Sequence, residues 1–331
     1  MGTDSHLDRR AFLVATLATV VPAGVAEAQN EVTRPVVSEA ACPLEVIAPV
    51  AMDGYRGLGV LRKPPGNGPF PAVVCLHEGM VEKPLAELQS YARDTALLSR
   101  FLAAGYVVVV PTYRSRDVDP QSTVSLEDSL SAVEYARNLP FVDPNSLVVF
   151  GCSGGGDLAL EVAAKTNICA VVPEEPATMM MAGMFDTKSP KRGERYTPAD
   201  SLYLMENPKA YYTPQAQRIF RAKIAQIKCP ILVVQGDASR RPPINGFNAE
   251  IRIPELRSAG KTVTTNIYPG QMHCFCLLSG IAPVGRERPP ASWPSAAQEA
   301  FRDIDRFCRR YLKSQPKAIN ARFVTMATVR A

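Results

Sequence analysis

Histidine is scarce in this chain of 331 residues: there are three, beside a single tryptophan. No cluster of histidine and cysteine has the spacing of a metal site, and no glycine-rich nucleotide motif is present, so neither a metal nor an organic cofactor is expected. Basic residues exceed acidic ones only mildly, by a net charge of +5. They are scattered rather than gathered into a stripe interleaved with aromatics, which argues against nucleic acid as a partner. Internal repeats and low-complexity tracts are absent. The one conspicuous apolar run, Leu13 to Val21, is short for a membrane span; it follows Arg9-Arg10 and precedes the small-x-small sequence Ala26-Glu27-Ala28. This pattern is that of a twin-arginine (Tat-type) secretory signal over residues 1–28, with a mature chain from about Gln29. It implies a bacterial periplasmic or secreted protein without stable membrane insertion once the signal is cleaved.

Eight cysteines in an exported chain raise the question of disulfides. Cys75, Cys169, Cys229 and Cys308 fall in probable core strands or on the apolar face of the last helix, where cysteine behaves as a small hydrophobe. Cys274 and Cys276 are too close in sequence to pair easily with each other. A single bridge, with Cys42 as a candidate member, is left open.

Beyond the leader, apolar strands alternate with amphipathic helices. An antiparallel opening pair is predicted at Leu44–Val50 and Gly57–Arg62, followed by buried strands at Pro71–His77 and Tyr106–Val110. Later strands are predicted running into Ser153, then at Ile168–Val172, Ile231–Val234 and Val263–Tyr268. Helices are predicted at about Pro84–Ala104, Ser125–Asn138, behind Ser153 to Lys165, and Ser295–Leu312. Strands that are apolar without alternation, each followed by a helix, define an α/β protein with a mostly parallel central sheet covered on both faces. The rhythm breaks at about 177–227, a segment containing Met179-Met180-Met181, which reads as a lid inserted into a single domain spanning 29–331. Its methionines suggest an apolar or aromatic substrate group, although methionine also fills cores. The tail beyond Ser314 carries no readable pattern.

The most informative motif is Gly151-Cys152-Ser153-Gly154-Gly155-Gly156, placed directly after the apolar run Ser146–Phe150. It is the G-x-S-x-G nucleophile elbow, a serine on a sharp turn between strand and helix. A serine hydroxyl needs a base. His6 leaves with the signal, and His273, in a loop after the last strand, is the candidate. His77, at the end of an earlier strand, reads instead as a shaper of the oxyanion loop. The expected oxyanion donors are the backbone N–H groups of Gly154 and of the 77–80 loop, Gly79 or Glu78. The Glu78 carboxylate is incongruous beside such a pocket; it has three destinations open to it, namely Ser153, substrate or solvent.

With these residues the chain resembles the α/β-hydrolase superfamily, in the branch shared by dienelactone hydrolases and prolyl-oligopeptidase catalytic domains. The resemblance runs from about Pro71 to Leu312. It rests on Leu126-Glu127-Asp128 through Phe141-Val142-Asp143-Pro144 to the elbow, on Pro230–Asp237, on Tyr268-Pro269-Gly270 to His273, and on Tyr113-Arg114. The resemblance implies the α/β-hydrolase fold and a Ser–acid–His triad. Dienelactone hydrolases usually carry cysteine as nucleophile; here Cys152 stands one residue before Ser153. The family's usual acid position falls on Ser239, so the acid is expected from Asp237, with Glu174, Glu175 or Glu250 as alternatives.

Three functions follow: an exported serine hydrolase of carboxylic esters or lactones acting through an acyl-enzyme on Ser153, with Glu78, Glu175 and Arg114 as candidate substrate-binding residues; a short-peptide or amide hydrolase, for which Glu174, Glu175 and Arg114 are candidate grips on a peptide terminus; or a non-catalytic binding protein on a hydrolase fold. Small esters, lactones or short peptides are the expected partners.

Overall fold

The computed structural model describes residues 33–79, 81–114, 123–177, 180–183, 207–238, 242–277 and 290–325. The signal-like leader and the middle of the predicted lid lie outside them. Ten strands are present among the described residues: β1 (Thr33–Val36), β2 (Leu44–Ile47), β3 (Gly59–Arg62), β4 (Phe70–Leu76), β5 (Val107–Pro111), β6 (Val142–Cys152), β7 (Ala170–Glu174), β8 (Ile231–Gly236), β9 (Val263–Tyr268) and β10 (Arg322–Thr325). Eight form the central sheet in the order β2-β3-β5-β4-β6-β7-β8-β9. The β2–β3 pairing is antiparallel, as the opening pair predicts; β3–β5 is antiparallel as well, and from β5 through β9 all neighbours are parallel.

The sheet is buried on both faces, which explains its uninterrupted apolar strands. Along β4, Val73 and Cys75 join one core, while Ala72, Val74 and Leu76 join the other. On the first face lie α1 (Leu85–Asp94), α2 (Ala96–Ala104) and the C-terminal helix. The second face carries α3 (Val124–Arg137) and α4 (Gly154–Lys165). The single helix predicted over 84–104 is two, because Thr95 is extended (φ −76°, ψ 119°) and fully buried. After α5 (Pro208–Tyr211) and α6 (Pro214–Gln226) come α7 (Pro242–Phe247), a π turn at Asn248–Arg252 and α8 (Ile253–Ser258), a helical stretch that sequence reading missed. The final helix, α9, spans Trp293–Arg309.

The 177–227 insertion is the β7–β8 connection. Its described parts belong to the body of the domain: Met180 and Met181 are buried in the second core with Phe220 and Ile224 of α6. These two methionines therefore fill core space and do not line a substrate surface; Met179 lies outside the described residues. The unreadable tail crosses α2, where the Ile319 N–H donates to the Ala103 carbonyl (2.9 Å), and ends as β10 paired antiparallel with β1. Two four-residue strands from opposite ends of the chain carry too little pattern to be recognised singly.

Candidate active site

Every predicted site residue except Glu250 lies at or just beyond the carboxyl end of a parallel strand, where open α/β sheets place their ligands. His77 and Glu78 follow β4, Arg114 follows β5, Ser153 follows β6, Glu174 ends β7 with Glu175 next, Asp237 follows β8 and His273 follows β9.

Ser153 occupies φ 54°, ψ −117°, with α4 starting at the next residue. Its N–H donates to the Glu174 carbonyl (3.0 Å), and its own carbonyl accepts from Gly156, Asp157 and Ala177. The turn is held by close packing: a Cβ on Gly155 would stand 2.3 Å from the His77 carbonyl oxygen and 2.4 Å from that of Leu76. Glycine is thus what lets the elbow press against the end of β4 and the 77–79 loop. The amino end of α4 directs its dipole at the serine, and Gly154 is its first residue. Only three non-glycine residues have positive φ among the described residues, and all three are here: Ser153, Glu175 (40°) and Cys274 (60°). Conformations of this kind cost on the order of 1–3 kcal/mol each and collect at functional sites.

The carboxylate on His273 is Glu175. Its Oε2 accepts from His273 Nδ1 and from the Cys274 N–H (3.3 Å), and its Oε1 accepts from the Gly236 N–H (2.9 Å). Glu175 is wholly buried, and the His273 side chain is 11% exposed. With Nδ1 donating to Glu175, Nε2 is left as the acceptor, and it has no hydrogen-bond partner.

Asp237, the first expectation for the acid, is bound elsewhere: it is exposed and its Oδ1 accepts from the Gly270 N–H (2.6 Å). Glu250 is exposed and pairs with Lys209. Glu174, the other neighbour, is turned into the first core, where Oε1 accepts from the Cys276 N–H (2.8 Å) and Oε2 has no partner. Burial pushes its carboxyl up to about 8. Ser239, in the family's usual acid position, lies outside the described residues.

The 77–79 loop is built as expected for His77. The imidazole is buried and stacked on Tyr113 (centroids 4.3 Å apart), and Nδ1 donates to the Glu78 carbonyl (2.9 Å). Burial lowers its pKa to about 4, which keeps it neutral and outside the range of a base for this chemistry. Tyr113 Oη donates to the His77 carbonyl (2.5 Å), so one tyrosine clamps the loop; Gly79 takes φ 77°. Glu78 Oε1 pairs with Lys83 Nζ (3.1 Å), and its Oε2 has no hydrogen-bond partner.

Two of the proposed substrate grips are otherwise engaged. Arg114 is bidentate to the nearly buried Asp128 (Nη2–Oδ1 2.8 Å, Nε–Oδ2 3.0 Å), reaches Asp53 (2.7 Å), and lies over the Tyr55 ring. Glu175 is the partner of His273. Behind the elbow, Asp157 and Arg252 form a buried pair (2.8 Å). Asp157 Oδ2 also accepts from the N–H groups of Met180 (2.8 Å) and Met181 (3.1 Å), fixing the start of the insertion. Sequence reading did not foresee that pair, nor the disulfide between Cys152 and Cys274. The bridge replaces the open expectation about Cys42, which is a free, buried cysteine.

An elbow serine, a carboxylate-bound histidine and a clamped glycine loop at the strand ends define an α/β-hydrolase. Residues 96–314 match the prolyl oligopeptidase family. The chain belongs to that family. Solved structures share the fold at low identity. An esterase from Pseudomonas putida superposes with a TM-score of 0.58 at 19% identity, covering 85% of this chain and 86% of its own. A Klebsiella pneumoniae protein described as a dienelactone hydrolase gives 0.56 at 16%, covering 82% and 100%. The esterase of the archaeon Pyrobaculum calidifontis gives 0.54 at 19%, covering 84% and 87%. In sequence, 94 residues are 38% identical to the quorum-quenching protein AidA of Acinetobacter baumannii; the match spans 26% of this chain and 31% of that protein.

Proposed function

We propose that this protein is an exported serine hydrolase that cleaves carboxylic esters or lactones through an acyl-enzyme on Ser153. The observation that carries the reading is the buried Glu175 carboxylate on His273 Nδ1, which leaves Nε2 free to accept a proton. Ser153 Oγ attacks the substrate carbonyl carbon while its proton passes to Nε2. Glu175 stabilises the resulting imidazolium without taking its proton. Backbone N–H groups of Gly154 and of the Gly79 loop receive the oxyanion. As the intermediate collapses, the Nε2 proton goes to the leaving alcohol. Water, deprotonated by the same nitrogen, then releases the acid and regenerates Ser153. In a lactone the leaving alcohol stays tethered to the acyl group, and the second step releases the two as one hydroxy acid.

Arg114 and Glu175 have structural partners, so neither is available to grip a peptide terminus, and this favours esters over amides. Membership of the prolyl oligopeptidase family supports the second reading, a short-peptide or amide hydrolase. The Acinetobacter relative is named for quorum quenching; it matches too little of this chain to choose a substrate. Export is supported by the twin-arginine leader and by a disulfide, which persists in oxidising compartments.

Pairs of substrates with one acyl group and different leaving groups separate the readings: p-nitrophenyl acetate against acetyl p-nitroanilide, dihydrocoumarin against its lactam, and a dipeptide anilide. Esters and lactones should turn over at least about tenfold faster, with turnover abolished by Ser153→Ala. Faster anilide cleavage would establish the second reading. Tight ligand binding without turnover would establish the binding protein. Recovery of a periplasmic chain beginning near Gln29 tests export; a chain retained in the cytoplasm with its leader would overturn it.

A further inference from the structure

The disulfide joins the two residues adjacent to the proposed reacting pair: Cys152 precedes Ser153, and Cys274 follows His273. The Cα atoms are 5.9 Å apart, across 122 residues of sequence. Cys152 is wholly buried and Cys274 is 7% exposed. On one side the bridge is anchored in the centre of the sheet, since Cys152 ends β6, which lies between β4 and β7. Its other end holds a loop leaving β9, the edge strand, which has a neighbour on one side only. The loop is held besides by packing, with Met272, Phe275, Cys276 and Leu277 buried in the first core and the Phe275 ring 5.0 Å from that of Tyr268, and by hydrogen bonds. Cys274 N–H donates to Glu175, Cys276 N–H donates to Glu174, and the Phe275 carbonyl accepts from Trp293 Nε1 (2.6 Å). Cys274 must also hold φ 60°, a conformation that a non-glycine residue keeps only when its surroundings impose it.

We propose that the Cys152–Cys274 bridge is a positioning device for the triad, fixing the His273 loop to the nucleophile elbow so that the hydrolase works in its oxidised form and loses turnover when the bridge is opened. The proposal rests on the reading of Ser153 and His273 as the reacting pair. Opening is a two-electron step. A dithiol such as dithiothreitol breaks the S–S bond, leaves a thiol on each cysteine and becomes a cyclic disulfide; oxidised glutathione takes the electrons back and re-forms the bridge. Unbridged, His273 keeps Glu175, but its distance from Ser153 is no longer covalently limited. Misplacement of a reacting group by about 1 Å can cost on the order of a hundredfold in rate.

The test compares the oxidised mature protein, its dithiothreitol-reduced form and the Cys152→Ala/Cys274→Ala variant. Turnover of p-nitrophenyl acetate is measured, with near-UV circular dichroism to certify folding and proton NMR to follow the His273 Nδ1–H resonance. The expected result is a fall of about a hundredfold in kcat with KM within threefold, and loss or displacement of the downfield Nδ1–H signal. Glutathione disulfide should restore the reduced protein but not the variant. Folded unbridged forms that keep kcat within threefold, and keep the resonance, would overturn the proposal and leave the serine-hydrolase reading intact. Unfolding of both unbridged forms would also overturn it, making the bridge a folding requirement. An oxidised, folded protein that fails to turn over any ester or amide would instead defeat the underlying reading.

Discussion

Replacing Glu175 by glutamine removes one charge and keeps the volume. The carboxylate has three donors, the Gly236 N–H (2.9 Å), His273 Nδ1–H and the Cys274 N–H (3.3 Å). A glutamine has one oxygen for them. With its nitrogen toward Gly236 one donor faces a donor; with its nitrogen toward His273 two do. The first orientation therefore wins, and His273 keeps a hydrogen-bond acceptor and its tautomer. The loss is the charge beside the imidazolium, worth about 4 kcal/mol for two unit charges about 4 Å apart at an effective dielectric constant of about 20. At 1.36 kcal/mol per decade this is about a thousandfold in kcat. The orphaned Gly236 N–H adds about 1–3 kcal/mol of lost stability. Asp237→Asn should change kcat less than about threefold, because an asparagine oxygen can still accept from Gly270 at an exposed position. Steady-state turnover of p-nitrophenyl acetate, with denaturation midpoints alongside, checks both. Glu175→Gln retaining more than a tenth of wild-type kcat, with Asp237→Asn abolishing it, would refute the assignment of the acid.

Three other outcomes follow from contacts around the site. Gly155→Ala places a Cβ against two backbone carbonyls that cannot yield; a loss of about 3 kcal/mol is expected from overpacking, read by chemical denaturation. Arg114→Ala strands the nearly buried Asp128; it should cost about 3 kcal/mol of stability while leaving KM within twofold, whereas a large rise in KM would return Arg114 to substrate binding. Glu174, with its carboxyl raised to about 8 by burial, holds a proton in the folded state that the unfolded chain releases from its ordinary value of 4.5 upward. Its effect is therefore a stability lost as pH rises through 4.5 to 8. Glu174→Gln should remove that loss, so the variant's denaturation midpoint gains on wild type over this range; an advantage that stays constant with pH would refute it.

Much of the architecture was legible because it is written locally. Unbroken apolar runs mark strands buried on both faces, and Gly151–Gly156 after such a run marks the elbow. Scarcity isolated His273. The acid was not legible, because Asp237, Glu174 and Glu175 all stand at strand ends and sequence cannot say which way each turns. The structure separates them by backbone: Glu174 still belongs to β7 and faces the core, whereas Glu175, at φ 40°, leaves the strand and turns to His273. The bridge was hidden for a related reason, since Cys152 and Cys274 are brought together only by the sheet order that places β6 and the β9 loop on one edge of the site. The engagement of Arg114 was not legible, because its partner Asp128 is an ordinary surface-type residue in sequence.

In the proposed reaction Ser153 is a nucleophile activated by His273 and Glu175. Reacting the folded, oxidised protein with a fluorophosphonate and mapping the adduct by peptide mass spectrometry tests it most directly. One phosphonyl group per chain is expected, on Ser153, absent from Ser153→Ala and with labelling slowed about a thousandfold in Glu175→Gln. A folded wild-type protein that takes up no probe, or takes it up on another residue, would contradict it.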